Sequence, residues 1–187
     1  MAEEAELKAI IQNDQEMLRI LKIVKSLNLP DWWICAGFIR NKIWDVLHGY
    51  PSDTPLNDID IIFFDPVDTS IETEENLNEK LHVLDSTMPW SVKNQARMHH
   101  KAGFPPFKSS QDGIAHFPEL PTAIGVKLTQ DGQLLIAAPW GIKELMNLIV
   151  SPTPYYQLNS QHYSIYQERL KKKDWQKTWP LLNFKDC

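Results

Sequence analysis

The segment Asn57-Asp58-Ile59-Asp60-Ile61-Ile62-Phe63-Phe64-Asp65 constrains the fold more than any other part of the chain. Its β-branched and aromatic residues predict a buried strand that follows a loop rich in glycine, proline and polar residues. Side chains alternate between the two faces of a strand, so the carboxylates of Asp58 and Asp60 project to the same side. Oxygen ligands of this kind suit Mg²⁺ or Mn²⁺, although an isolated Asp-x-Asp is more often a solvated strand start.

The pattern around this strand predicts an α/β (α+β) fold, in which helices pack against a mixed β-sheet. Helical periodicity covers residues 7–27, with a break at Asn13-Asp14, and residues 38–48, 72–84, 95–102, 142–149 and 161–177. Strands are predicted at residues 33–36 and 90–94, and Asp131-Gly132 predicts a hairpin between residues 123–129 and 134–138. No linker or repeat is visible, so we expect a single domain over residues 1–187, with helices at both ends.

Composition narrows the expected partners and compartment. The 187 residues contain 19 Lys and Arg against 24 Asp and Glu, a net charge of −5, which gives no strong indication of nucleic-acid binding. The acidic N-terminal residues and the lack of a long apolar run predict neither a secretion signal nor a membrane partner. With Cys35 and Cys187 as the two cysteines, we expect a reducing, cytoplasmic location.

A glycine turn raises the significance of the two carboxylates. Gly37 follows a buried strand and opens a helix, where backbone N–H groups can receive phosphate oxygens. Arg40 and Lys42 lie on the first turns of that helix, and Lys93 lies in the strand over residues 90–94, so all three could offset phosphate charge. The alternative is that each of these basic side chains simply lies on the solvated surface. Phosphoryl or nucleotidyl transfer requires at least a phosphate-binding site and a carboxylate pair that can hold a divalent metal ion.

These residues resemble the DNA polymerase β-type nucleotidyltransferase superfamily. The resemblance rests on Ala36-Gly37-Phe38-Ile39-Arg40-Asn41, Trp44-Asp45, His48-Gly49 and Asn57-Asp58-Ile59-Asp60. A narrower bacterial family, known only as nucleotidyltransferase-like, is similar at Trp90-Ser91-Val92-Lys93-Asn94-Gln95-Ala96-Arg97-Met98-His99, residues 122–126 and Ala138-Pro139-Trp140-Gly141. The resemblance covers about residues 33–154. It implies a mixed sheet and metal-dependent transfer of a nucleoside monophosphate from an NTP to an acceptor that the sequence does not identify.

Two departures from the superfamily pattern bear on activity. The usual Gly-Ser or Gly-Gly is Ala36-Gly37 here, and Ser91 stands where we expect the third carboxylate, which serves active members as metal ligand and base. Asp85 and Asp112 are the substitutes we consider.

Two hypotheses therefore stand. In the first, the protein is a nucleotidyltransferase in which Asp58 and Asp60 coordinate Mg²⁺, Gly37 receives the triphosphate, and Arg40 or Lys42 offsets its charge. In the second, it is a catalytically degenerate regulatory module of the same fold that binds a nucleotide or a metal. A third carboxylate within about 5 Å of the pair, where charges couple strongly, favours the enzyme, and its absence favours the module.

Overall fold

The computed structural model describes residues 2–101 and 103–185, so Cys187 and the predicted helical residue Ala102 lie outside the described part. Two helices open the chain, α1 at Ala2–Gln12 and α2 at Gln15–Ser26. The chain breaks between them at the predicted position, and Asp14 caps the start of α2: its side chain accepts a hydrogen bond of 2.8 Å from the Met17 amide.

A five-stranded mixed sheet forms the centre of the fold, as predicted. Its strands are β1 at Trp33–Cys35, β2 at Ile59–Phe63, β3 at Trp90–Asn94, β4 at Gly125–Leu128 and β5 at Leu134–Ala137. They lie in the order β3-β2-β1-β4-β5, and every adjacent pair is antiparallel except β2 and β3. The parallel pair requires a crossover, which α4 at Ile71–Leu84 supplies. Gly132 turns the β4-β5 hairpin with a φ of +83°.

The two faces of the sheet have different coverings. Ile34 of β1 and Ile61 of β2 are register partners, and both are fully buried in the core that also contains apolar side chains of α1, α2, α3 and α4. Helix α3 spans Gly37–Leu47. The other face carries Cys35 and Asp60, which are also register partners. A smaller apolar cluster packs there, including Ile114 from α6 at Ser110–Ala115. Asp60 therefore lies on the face that the large helices leave uncovered.

All but one of the remaining elements have four residues or fewer. They are α5 at Gln95–Met98, a 3₁₀ turn at His99–Lys101, α7 at Lys143–Met146, β6 at Ile149–Val150, a 3₁₀ turn at Pro154–Tyr156, α8 at Tyr163–Lys173, α9 at Trp175–Thr178 and β7 at Asn183–Phe184. In residues 2–101 and 103–185 no helix is both long and apolar enough to cross a membrane.

Two predicted helices differ from the structure. The helix predicted over residues 142–149 is only the short α7, because Leu148 adopts a φ of +55° and Ile149 begins β6, which pairs in parallel with β7. The helix predicted over residues 161–177 is divided into α8 and α9 by Asp174, which adopts a left-handed conformation with φ 43° and ψ 44°. Trp175 then turns into the main core beside Trp44.

Candidate active site

The two predicted carboxylates lie at the beginning of β2. Asp58 directly precedes the strand and is exposed, whereas Asp60 is its second residue and is mostly buried. Asp60 stands between Cys35 of β1 and Ser91 of β3 in the register of the sheet. The position of β2 between β1 and β3 therefore holds Asp60 within the sheet and leaves Asp58 at the start of the strand.

Burial sets the charge state of Asp60. Loss of hydration raises the pKa of its carboxyl from the ordinary 3.8 to about 6, and the charge of Asp58 adds to this rise. The positive charges of Lys173, Arg40 and Arg169 act in the opposite direction and lower the same pKa. Asp60 thus carries a negative charge at neutral pH in a position where a further positive charge would be stabilising.

The turn between β1 and α3 has an unusual backbone. Ala36, which precedes α3, adopts a φ of +56° and a ψ of −118°, a conformation that side chains other than glycine rarely adopt. Its amide donates to the Ile124 carbonyl at 3.1 Å, and its carbonyl accepts from the Arg40 amide at 2.9 Å. These hydrogen bonds hold the turn, and they leave Gly37 as the first helical residue.

Arg40 is buried rather than solvated. Its guanidinium donates to Thr122 Oγ1 at 2.9 Å and to Asn41 Oδ1 at 2.8 Å, and it lies 4.3 Å from the ring centre of Trp175. Burial lowers the pKa of Arg40 to about 10, although the carboxylate of Glu119 opposes this change. The side chain is therefore fixed as a cation near the carboxylates, and its Nε has no hydrogen-bond partner among the described residues.

Each of the two carboxylates lines a different cavity. The smaller, of about 130 Å³, is polar and is lined by Gly37, Arg40, Asn57, Asp58 and Lys173, among others. The larger, of about 460 Å³, has Asp60 in its wall and is bounded by Ile62, Lys93, His116, Tyr156 and Arg169, among others. Asp58 therefore belongs to the polar cavity beside the start of α3, and Asp60, two residues along, belongs to the larger cavity.

Helix α8 supplies two cations that the sequence analysis missed. Arg169 lines the larger cavity and Lys173 the smaller one, four residues further along the same helix. Arg169 donates to Glu119 at 2.8 Å, and Glu119 is fully buried. The spacing of four residues places both side chains on one helix face, which is a signal that the sequence does contain. The sequence does not show that this face turns toward β2.

The other predicted residues are distributed around the fold. Lys42 forms ion pairs with Asp14 at 2.5 Å and Asp53 at 2.7 Å, and it lines neither of the two cavities. Lys93 lines the larger cavity, with its Nζ 3.2 Å from a carboxylate oxygen of the buried Glu74.

The two proposed substitutes for the third carboxylate have structural partners instead. Asp85 accepts hydrogen bonds from Thr87 and pairs at 2.7 Å with Arg19 of α2, which together lower its pKa to about 2. Asp112 accepts from the Lys108 amide at 2.9 Å. Neither side chain lines a cavity with Asp58 or Asp60. Across residues 2–101 and 103–185, no three His, Cys, Asp or Glu side chains gather into a metal-binding group.

A profile of a family described as nucleotidyltransferase matches residues 22–184, which is most of the chain. The chain belongs to this nucleotidyltransferase family. The sequence-based family prediction and the predicted fold class are thereby confirmed. No protein with a curated function matches the sequence.

Solved structures agree with this membership. The nucleotidyltransferase chain is 35% identical to a protein whose NMR structure is described as revealing a CCA-adding enzyme head domain, with a TM-score of 0.86 and coverage of 98% of this chain and 96% of that one. It also resembles the Thermotoga maritima CCA-adding enzyme complexed with tRNA, at 14% identity and a TM-score of 0.58, and a CCA-adding enzyme complexed with ATP, at 15% and 0.57. Each of these two alignments includes 96% of this chain but only 42% or 41% of the larger enzyme. At such low identity, these two similarities show the fold alone.

The carboxylate pair of this nucleotidyltransferase fits a divalent cation in its chemistry. Asp58 and Asp60 offer hard oxygen ligands, and a bound cation would oppose the rise in the pKa of Asp60 that burial and, to a smaller extent, the charge of Asp58 cause. Mg²⁺ is commonly held by one or two carboxylates together with water and substrate phosphates. A two-carboxylate donor set is therefore sufficient for one ion when a phosphate ligand is also present.

Proposed function

We propose that this protein transfers a nucleoside monophosphate from an NTP to an acceptor, with Asp58 and Asp60 holding Mg²⁺ or Mn²⁺. One observation carries the proposal: Asp58 lines a polar cavity together with Gly37, Arg40 and Lys173, and Asp60, two residues along the chain, lines a larger cavity. A bound divalent ion would stabilise negative charge on the phosphoryl group and align it for attack.

The smaller cavity suits the triphosphate of the nucleotide. Gly37 is the first residue of α3, an eleven-residue helix whose N-terminal N–H groups and dipole favour anions. Lys173 adds a flexible cation to the same cavity, and Arg40 adds a rigid one. The chain's own residues would thereby neutralise phosphate charge and direct the α-phosphate toward Asp58 and Asp60.

Similar proteins supply independent support for an NTP as substrate. Two structures with the same fold are CCA-adding enzymes complexed with ATP and with CTP. Their identities to this chain are 15% and 11%, so we carry over the class of nucleotide and not the base preference or the acceptor. The positions of Gly37 and Asp58 around one cavity are consistent with that class.

The proposal is tested by the stability that a nucleotide confers. Thermal unfolding is measured with each of the four NTPs, with and without Mg²⁺, because a ligand at about 100 times its Kd stabilises the folded state by about 2.7 kcal/mol. We expect Asp58→Asn and Asp60→Asn each to abolish the Mg²⁺-dependent shift. Asp53→Asn is the matched control, since it removes an exposed carboxylate whose partner Lys42 retains its bond to Asp14. An NTP shift that survives both site variants would refute the assignment.

A second candidate is a regulatory module that binds a nucleotide without transferring it. Ser91 is the β3 register partner of Asp60, and a serine cannot replace a carboxylate as base at neutral pH. Release of labelled pyrophosphate from NTP distinguishes the two candidates. Binding without pyrophosphate release under any acceptor condition, in wild type and in Ser91→Asp, would favour the module.

A further inference from the structure

The larger cavity has the properties of a small-molecule site. Its volume of about 460 Å³ lies within the roughly 300–1,000 Å³ that is typical of ligand pockets. Asp60 forms part of its wall, so a molecule bound there is adjacent to the carboxylates. Under the proposed function the triphosphate occupies the smaller cavity, and the larger one is left for the acceptor.

Aromatic rings form one continuous wall of this cavity. Phe104 contacts His116 edge-on at 4.6 Å between ring centres, and Phe107 lies 4.7 Å from the same imidazole. Behind the cavity, Tyr155 stacks on His116 at 3.9 Å with an interplanar angle of 17°. Because these rings support one another, the wall is already formed before a ligand arrives. It suits a planar, largely apolar body.

Cations occupy other parts of the same wall. Lys93, Lys101 and Arg169 all line the cavity. The carboxylates that pair with Lys93 and Arg169 belong to Glu74 and Glu119, which are buried and do not line it. Lys101 has no ion-pair partner among the described residues and is exposed. The space that a ligand would enter therefore presents positive charge beside aromatic surface.

The residue beside Asp60 bears on which kind of oxygen attacks. An alcohol acceptor must lose a proton as it attacks phosphorus, and Ser91, the register partner of Asp60, cannot accept it. His116 of the same cavity has its Nδ1 2.8 Å from the Asp112 carbonyl and its ring stacked on Tyr155. An ionised carboxylate or phosphate oxygen carries no proton at neutral pH, so its attack requires no base. The cations in the wall would favour such an anion, and the metal ion would offset its repulsion from Asp60.

We propose that the acceptor is a small aromatic acid bound in the larger cavity, an inference that rests on the proposed function. The ionised oxygen of this acid attacks the α-phosphorus of the NTP. One P–O bond forms between the acid and the α-phosphorus, and the bond to the bridging oxygen of the β-phosphate breaks. Pyrophosphate leaves with the electron pair, and no proton is transferred. The product is a nucleotidylated acid, either an acyl phosphate anhydride or a phosphoanhydride.

Binding of the acid is measured first, without nucleotide. Calorimetry with phenylacetate, phenyl phosphate and benzyl alcohol separates a carboxylate, a phosphate and a neutral molecule of similar shape. We expect one of the two acids to bind and benzyl alcohol to bind at least tenfold more weakly. Lys101→Gln should weaken binding of the acid by about fivefold, which is the size of effect expected from loss of one exposed charge. Lys108→Gln is the matched control, because it removes an exposed lysine of the following loop that does not line the cavity.

A filling variant provides a second check that keeps the charges intact. Ile165 lies in the cavity wall and is 37% exposed, so Ile165→Trp should occupy the cavity without disturbing the core. We expect this variant to lose acid binding and to retain the Mg²⁺-dependent NTP shift. Equal binding of the acids and the alcohol, or acid binding that Ile165→Trp leaves unchanged, would overturn the proposal.

Turnover is measured as pyrophosphate release with each probe and with an RNA hairpin that ends in a free 3′-hydroxyl. We expect release with an acid and none with benzyl alcohol or RNA. Pyrophosphate release with RNA and with no acid would refute the proposed acceptor, but it would not contradict the proposed nucleotide site. Loss of the NTP shift in the stability test would instead refute the proposed function itself, and the acceptor role with it.

Discussion

Replacement of Asp60 by asparagine is expected to stabilise the metal-free protein at neutral pH. The pKa of this carboxyl is raised from 3.8 to about 6, and each unit corresponds to about 1.4 kcal/mol, so the ionised side chain costs the folded state about 3 kcal/mol. Because the folded state binds the proton more tightly than the unfolded state, stability contributed by this group is present below pH 3.8 and is lost as the pH rises through 6. Asparagine has no proton to lose.

The free energy of unfolding is measured by urea titration in EDTA from pH 3.5 to 8. The difference between Asp60→Asn and wild type should be near zero at pH 3.5, half developed about one unit below pH 6, and about 3 kcal/mol above pH 7. This gain corresponds to a rise of roughly 6–12 °C in Tm for a chain of this length. Asp58→Asn removes only the smaller, charge–charge part of the cause, so its gain should be smaller. A difference that is independent of pH, or a loss of stability at pH 8, would refute the reasoning.

Three further substitutions test features of the fold by urea unfolding. Ala36→Gly should stabilise by about 1 kcal/mol, since relief of a positive-φ conformation worth roughly 1–3 kcal/mol exceeds the added entropy of the unfolded chain; destabilisation would contradict it. Gly125→Ala should cost about 1–3 kcal/mol, because the new Cβ would lie 2.9 Å from the Ile114 side chain, and a neutral result would contradict this close packing. Trp179→Phe should cost about 1.5–3 kcal/mol, because the hydrogen bond of 2.7 Å from its Nε1 to Asp45 is lost. An unchanged free energy of unfolding would contradict this expectation.

The sheet was predictable because its signals are local. Alternation of side chains, β-branched residues and the Asp131-Gly132 turn identify strands without any knowledge of tertiary contacts. The same alternation predicts that Asp58 and Asp60 project to one side, and the structure has Asp58 directly before β2 and Asp60 within it. The approach of Arg169 and Lys173 to these residues was not predictable, because it depends on the tertiary position of α8. No periodicity within residues 163–173 contains that information.

Local rules bear on some of the residues considered for the site. Arg40 and Lys42 are two residues apart on a helix, so they point in different directions, which favours one of the two over both beside a phosphate. The structure has Arg40 in the cavity wall and Lys42 paired with Asp14 and Asp53. Likewise, Asp85 stands two residues before Thr87, the spacing at which an Asp side chain bonds to its own backbone in a turn.

Cys35 gives the molecule a reporter at its centre. The thiol lies in the middle strand of the sheet, is fully buried, and has a pKa well above its ordinary value because of burial and the nearby charge of Asp60. A protonated, inaccessible thiol does not react with alkylating reagents. Cys35 packs against Ile62, Ile114 and Ala137 on the sheet face that also carries Asp60, so its modification requires this apolar cluster to open. The rate at which a thiol reagent labels this side chain measures how often the cluster beside the candidate active site opens.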